Sequence, residues 1–121
     1  MKFRKFNLFL PILTILFLSF YSCDNDKLPE TCGEFTDVSF SGQVLPVLNV
    51  YCTTCHNSTD PQGGVDQSSW AEVKTTVDSG AFLGSIKHED GFVPMPLNSA
   101  QMNTCEILLL ETWVNEGALD N

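Results

Sequence analysis

Basic side chains are scarce in this chain. Six Lys and Arg stand against fifteen Asp and Glu, a formal net charge of −9. Three of the six, Lys2, Arg4 and Lys5, fall in the first seven residues, so residues 23–121 carry 3 − 15 = −12. Such a surface repels nucleic-acid phosphates and anionic membrane faces, so no nucleic-acid partner is expected. It suits a protein partner with a basic patch. An apolar run long enough for a bilayer is missing as well: residues 8–20 carry no charge but fall short of the roughly 20 residues a spanning helix needs. Histidine is limited to His56 and His88. A zinc site would need a second ligand pair beyond the one CxxC of the chain, and no strand–helix setting of the thioredoxin kind surrounds that pair.

What is present begins with a targeting segment. A positive end followed by a short apolar core has the form of a secretory signal. Ser22 and Cys23 follow it directly, then the acidic run Asp24-Asn25-Asp26. This resembles a bacterial lipoprotein signal, although Phe20 and Tyr21 stand where the usual motif has Leu and a small residue. The resemblance implies that residues 1–22 are removed and that Cys23 is lipidated. The chain is then exported and lipid-anchored to a membrane, periplasmic or at the cell surface. Residues 23–36, polar and containing Pro29 and Gly33, read as a tether. Residues 37–121 read as one domain.

The domain is organised around Cys52-Thr53-Thr54-Cys55-His56, the CxxCH pattern of covalent haem attachment. Two thiols add across the two haem vinyl groups, and a two-residue spacer matches the vinyl separation when the backbone makes one helical turn. The His directly after the second Cys reaches the iron from the same side as the proximal ligand. At this composition the pattern is expected by chance roughly 0.003 times, so coincidence is a poor explanation. One covalent haem c is therefore expected, bound by Cys52, Cys55 and His56. Of the five cysteines, Cys23, Cys52 and Cys55 then have roles. Cys32 and Cys105 remain, an even remainder in a compartment that permits disulfides. A bridge between them closes a long loop and is worth about 4–5 kcal/mol in the chain-entropy model.

The pattern of the chain is helical. Val44, Leu45, Val47, Leu48 and Tyr51 share a helical face, and Pro46 belongs in that helix's first turn, so its regular part should start near Gln43. Residues 57–67 have turn chemistry throughout. Ser69 and Glu72 read as a capping box for a short helix that ends at residues 78–80. Residues 81–87 suit another short helix. Asn103 reads as the N-cap of the last helix, which has a broad apolar face at residues 107–110, Trp113 and Val114 and stops at Gly117. Between these helices, Pro94 and Pro96 force Val93 and Met95 into an extended segment. A thioether held there, 95 − 56 = 39 residues after the CxxCH histidine, suits a second axial ligand opposite His56. Two rivals exist. Met102 precedes the last helix and has the setting of a core residue. His88, beside Glu89 and Asp90, has the setting of a solvated surface residue.

In this order the motifs resemble a family, the class I monohaem cytochromes c, in particular the small cytochrome c domains of bacterial lipoproteins. The resemblance runs over residues 36–119. It rests on residues 38–48, Cys52-Thr53-Thr54-Cys55-His56, Val93-Pro94-Met95-Pro96, Cys105-Glu106-Ile107 and Trp113-Val114-Asn115-Glu116-Gly117-Ala118. Leu97 stands where related loops carry a second Pro. The resemblance implies an all-α, cytochrome c-like fold of three to five short helices around one haem, with the first and last helices crossing and Met95 as the distal ligand. The function implied is electron transfer rather than catalysis. The alternatives are a haem sensor or peroxidase-like domain with a labile sixth ligand, and a haem-free thiol or metal-binding module.

Overall fold

The computed structural model describes residues 31–121; the expected signal, Cys23 and the tether up to residue 30 lie outside the described residues. The described part is all-α. It holds four α-helices: α1 Leu45–Tyr51, α2 Trp70–Asp78, α3 Ala81–Ile86 and α4 Thr104–Asn115. A π-helical turn, Phe40–Val44, runs into α1, and a 3-10 turn, Gln62–Gly64, lies in the loop before α2. No strand forms among the described residues, although His56 and Pro61 make an isolated antiparallel bridge.

Local chemistry accounts for most boundaries. Ser39 stands in extended backbone and its hydroxyl accepts from Gly42 N at 3.2 Å, which opens the π-helical turn. Pro46 falls in the first turn of α1, whose regular part starts at Leu45, after the π-helical turn, rather than near Gln43. Gly80 separates α2 from α3 with φ 79°, and Gly117 stops the chain after α4 with φ 103°. Both are left-handed conformations that cost a glycine nothing. Asn103 caps α4 through its side chain, which accepts from Cys105 N at 2.7 Å. The expected capping box at Ser69 does not form: Ser69 is the N-cap of α2, but its hydroxyl makes no cap bond. That end of α2 is held instead by a long-range contact, the Trp70 indole N–H donating to Ala118 O at 2.9 Å.

Trp113 on α4 is fully buried and sits between Phe40 at 5.6 Å and Phe82 at 6.4 Å, measured between ring centroids. Such tilted and edge-on pairs add about 0.5–1.5 kcal/mol each beyond the area they bury. Val38, Val44, Leu48, Val73 and Leu110 complete the fully buried set. Thus α4 packs on the π-helical turn and on α3, and α3 packs on α2. The apolar face of α4 is narrower than its composition suggests. Leu110 is fully buried, whereas Leu108 is 40% exposed.

The two ends of the domain are stitched together. The Glu116 carboxylate accepts from Asp37 N at 2.9 Å and from Val38 N at 2.8 Å. Asn121 accepts from Phe40 N through its side chain and from Ser41 N through its carbonyl oxygen. Cys32 and Cys105 are joined by a disulfide, which fixes the start of the domain to the first turn of α4.

Candidate functional site

Helix α1 ends where the CxxCH begins, and the five residues continue as one tight turn. Cys52 N and Thr53 N both donate to Leu48 O, at 2.8 and 3.0 Å. Cys55 N and His56 N then both donate to Cys52 O, at 3.0 and 2.9 Å. These two bonds are the i to i+3 and i to i+4 closures of a helical turn. They bring Cys52, Cys55 and His56 to one side of the backbone, and all three line the same cavity. Both cysteines are free thiols. Burial pushes the Cys52 thiol up to about 11, because the thiolate loses hydration there.

The loop after the motif holds the histidine. His56 Nδ1 lies 3.2 Å from Val65 O, and Gln67 N donates to His56 O at 2.9 Å. A carbonyl can only accept, so Nδ1 carries the proton and donates. The Nε2 lone pair is left for a metal. Gly63 and Gly64, with φ 67° and 74°, allow the loop to turn this tightly.

The cavity has a volume of about 660 Å³, within the range of a cofactor site, and its lining is mainly apolar. Tyr51, Cys52, Cys55 and His56 form one part of its wall, and Phe82, Ser85 and Ile86 of α3 form another. Met95 lines it from a bend in the segment after α3, not from the extended backbone expected of it. That segment is tied to the end of α3, since Met95 N donates to Ser85 O at 3.0 Å and Gln101 Nε2 donates to Ile86 O at 3.1 Å. Phe92 covers Gly84 so closely that a Cβ there would run into the ring.

The structure brings Cys52, Cys55, His56 and Met95 together around one cavity. Met102 joins them: it is buried among the core residues and also lines the cavity. His88 is not in the lining. It is exposed, and its Nε2 lies 3.0 Å from Met95 O, so it braces the backbone of the methionine. Cys32 and Cys105 are paired away from the cavity lining. Cys23 lies outside the described residues.

Several participants had no signal in the sequence. Gln67 reads as a loop residue but is buried and lines the cavity. Val65 acts through its backbone oxygen, which side-chain identity cannot reveal. Tyr51 belongs to the apolar face of α1, yet its hydroxyl is hydrogen-bonded to Glu106 of α4. That bond, then burial, then the carboxylate's charge, raise the Tyr51 pKa above its ordinary value. Glu106 Oε2 is itself buried without a hydrogen-bond partner. Among the described residues, no three His, Cys, Asp or Glu side chains converge as a metal-binding group, and no helix is long and apolar enough to cross a membrane.

Compared with family models, curated proteins and solved structures, the chain has no match.

Proposed function

We propose that the domain is a class I cytochrome c-like electron carrier with one covalent haem c held by Cys52, Cys55, His56 and Met95. The observation that carries this reading is the CxxCH turn itself: both thiols and the imidazole open onto one apolar cavity that Met95 also lines. The residues present fit the group. Two free thiols stand one helical turn apart, a histidine has its Nε2 available, and a thioether shares the cavity. Gln62, Gln67, Thr76 and Ser85 add polar residues to walls that are mainly apolar.

When bound, the haem supplies one-electron chemistry between Fe(III) and Fe(II). The residues of the chain do the rest. Cys52 and Cys55 hold the group covalently. Val65 O fixes the orientation of His56, as the outer partner of a metal-bound imidazole does. Met95 supplies a neutral sulfur, which favours the lower iron charge and a positive potential. The apolar lining keeps water out. Surface carboxylates act the other way, but exposed charge is screened by salt within about 10 Å. The charge of −12 on residues 23–121 suits a partner with a basic patch. Lipidation at Cys23 would keep the carrier at a membrane surface outside the cytoplasm.

Expression with a c-type maturation system, followed by a pyridine haemochrome assay, tests covalent attachment. A product without haem returns the chain to a thiol or metal-binding module. The far-red ferric band should vanish in Met95→Ala, and the reduced wild type should bind carbon monoxide slowly and weakly. Rapid, tight binding at neutral pH would instead indicate a sensor or peroxidase-like domain with a labile sixth ligand.

A further inference from the structure

Helix α3 ends at Ile86, with Lys87 as its C-cap. The turn that follows is a Schellman closure: Glu89 N donates to Gly84 O at 2.9 Å, and His88 N donates to Ser85 O at 3.2 Å. His88 occupies the position of this motif that must be left-handed, with φ 55°. Glycine fills that position without strain, because a Cβ crowds the following carbonyl there. Ending the helix therefore does not call for a histidine. The turn is also held on either side of it. Lys87 pairs with Glu111 of α4, and Phe92 N donates to Glu89 O at 3.2 Å.

What the histidine adds is its side chain. His88 Nε2 lies 3.0 Å from Met95 O. A carbonyl oxygen can only accept, so Nε2 carries a proton and donates it. The neutral Nε2–H tautomer and the imidazolium both have that proton, so the bond does not depend on the charge of the ring. On its other side, Met95 N donates to Ser85 O at 3.0 Å. Both backbone polar groups of Met95 are thus held by the end of α3.

The rest of the segment is not held in this way. Pro94 and Pro96 have no N–H to donate. No other backbone group of residues 93–98 is bonded to α3 or to its closing turn. The clamp therefore fixes the Met95 backbone against α3, whose Phe82, Ser85 and Ile86 form part of the cavity wall. Only side-chain torsions remain to place the thioether. Releasing Met95 O would leave the segment hanging on a single hydrogen bond. A strained backbone conformation is often found at a ligand clamp, where the surrounding structure sustains it.

We propose that His88 is a positioning residue, whose hydrogen bond to Met95 O fixes the thioether at the cavity and keeps the sixth iron position closed to outside ligands. This deepens the haem reading and rests on it.

The test titrates the ferric holoprotein with imidazole and follows the loss of the far-red band, in the wild type and in His88→Ala, His88→Gly and His88→Gln. Imidazole competes with the thioether for the iron, so its apparent affinity reports how firmly Met95 is held. Ala and Gly both remove the bond and should bind imidazole about three- to tenfold more tightly, the size of one lost hydrogen bond. The two should differ in urea denaturation, where Gly relieves the left-handed backbone and has the higher midpoint. Gln carries an amide N–H about where Nε2 stands and should return the affinity to within about twofold of the wild type. Unchanged affinity in both Ala and Gly would overturn the proposal. So would a rise in Ala alone, because the effect would then follow the helix end rather than Met95. A Gly variant that fails to fold would overturn it too, since His88 would then be holding the helix. The wild type separates this proposal from the reading beneath it. Absence of covalent haem in the pyridine haemochrome assay, or covalent haem without a far-red band, removes the haem or the Met95 ligation and His88 with it. Covalent haem with the band, and variants that bind imidazole as the wild type does, removes only the role of His88.

Discussion

Replacing Cys32 and Cys105 together by Ser should cost this domain about 2–4 kcal/mol of stability. The bridge joins residues 73 apart in sequence. Taking the closed loop as about 73 residues, the chain-entropy expression gives about 15 cal/mol/K, or about 4.4 kcal/mol at 25 °C. That figure is an upper one, for a reason visible in the structure. Of the residues between Cys32 and Val38, Gly33, Glu34, Thr36 and Asp37 are exposed and only Phe35 packs against the core. Without the bridge, this segment regains freedom in the folded state, at about 1–2 kcal/mol of backbone entropy per residue released. Loss of the Phe35 packing offsets part of that gain. The Glu116 carboxylate still holds Asp37 N and Val38 N, so the fraying stops there and the core keeps its shape. Urea denaturation of the holoprotein, followed by far-UV circular dichroism, gives the difference directly. The slope should rise as the midpoint falls, because an uncrosslinked denatured chain exposes more surface. The melting temperature should drop by about 10–30 °C. A loss below about 1 kcal/mol would refute the entropic reasoning, and two reactive thiols in the denatured, unreduced wild type would refute the bridge itself.

Three further outcomes follow from named contacts. Glu116→Ala removes the acceptor of two backbone N–H groups and should destabilise the domain by about 2–3 kcal/mol in the same denaturation assay, with Glu116→Gln recovering part of it. Gly84→Ala places a methyl group inside the position of the Phe92 ring, so the ring must move off the cavity wall; a stability loss of about 1–3 kcal/mol is expected, with a changed haem circular dichroism band as the local readout. At high pH the Lys87 pKa is raised, first by its hydrogen bond to Glu111, and the Tyr51 pKa is raised, first by its hydrogen bond to Glu106. Both groups hold their protons more tightly when folded, so their stabilising contributions are complete below the unfolded values near 10 and are lost as pH rises through the folded ones. Stability measured from neutral to strongly alkaline pH should fall above about pH 10, and the combined Lys87→Met, Tyr51→Phe variant should flatten that fall.

The sequence was most legible where a residue's role is set by its neighbours in the chain. The CxxCH turn needs only one helical turn of backbone, so Cys52, Cys55 and His56 could be assigned to one face from their spacing. Pro46, Gly80, Asn103 and Gly117 mark helix ends through restrictions on their own φ, N–H or side-chain oxygen, and each stands where its chemistry requires. Ser69 shows the limit of such reasoning. It lies at the cap position of α2, but Trp70 reaching Ala118 sets that end of the helix, and the contact spans 48 residues. Leu108 shows the same limit on α4, since a run of four apolar residues cannot say which one faces solvent.

The sequence by itself determined the kinds of atoms this chain can offer: two thiols and an imidazole at fixed spacing, a methionine between two prolines, an even pair of spare cysteines and a strongly acidic surface. Individual helices could be read from apolar periodicity, because that signal is local, and the resemblance to the cytochromes c implied the all-α class. Only the tertiary structure decided which distant atoms meet. It joined Cys32 to Cys105, set the Glu116 carboxylate against the backbone of Asp37 and Val38, braced Met95 with His88, and buried Gln67 against Thr76. These meetings depend on how helices pack around Trp113, and packing is a property of the whole buried volume that no short window of sequence contains.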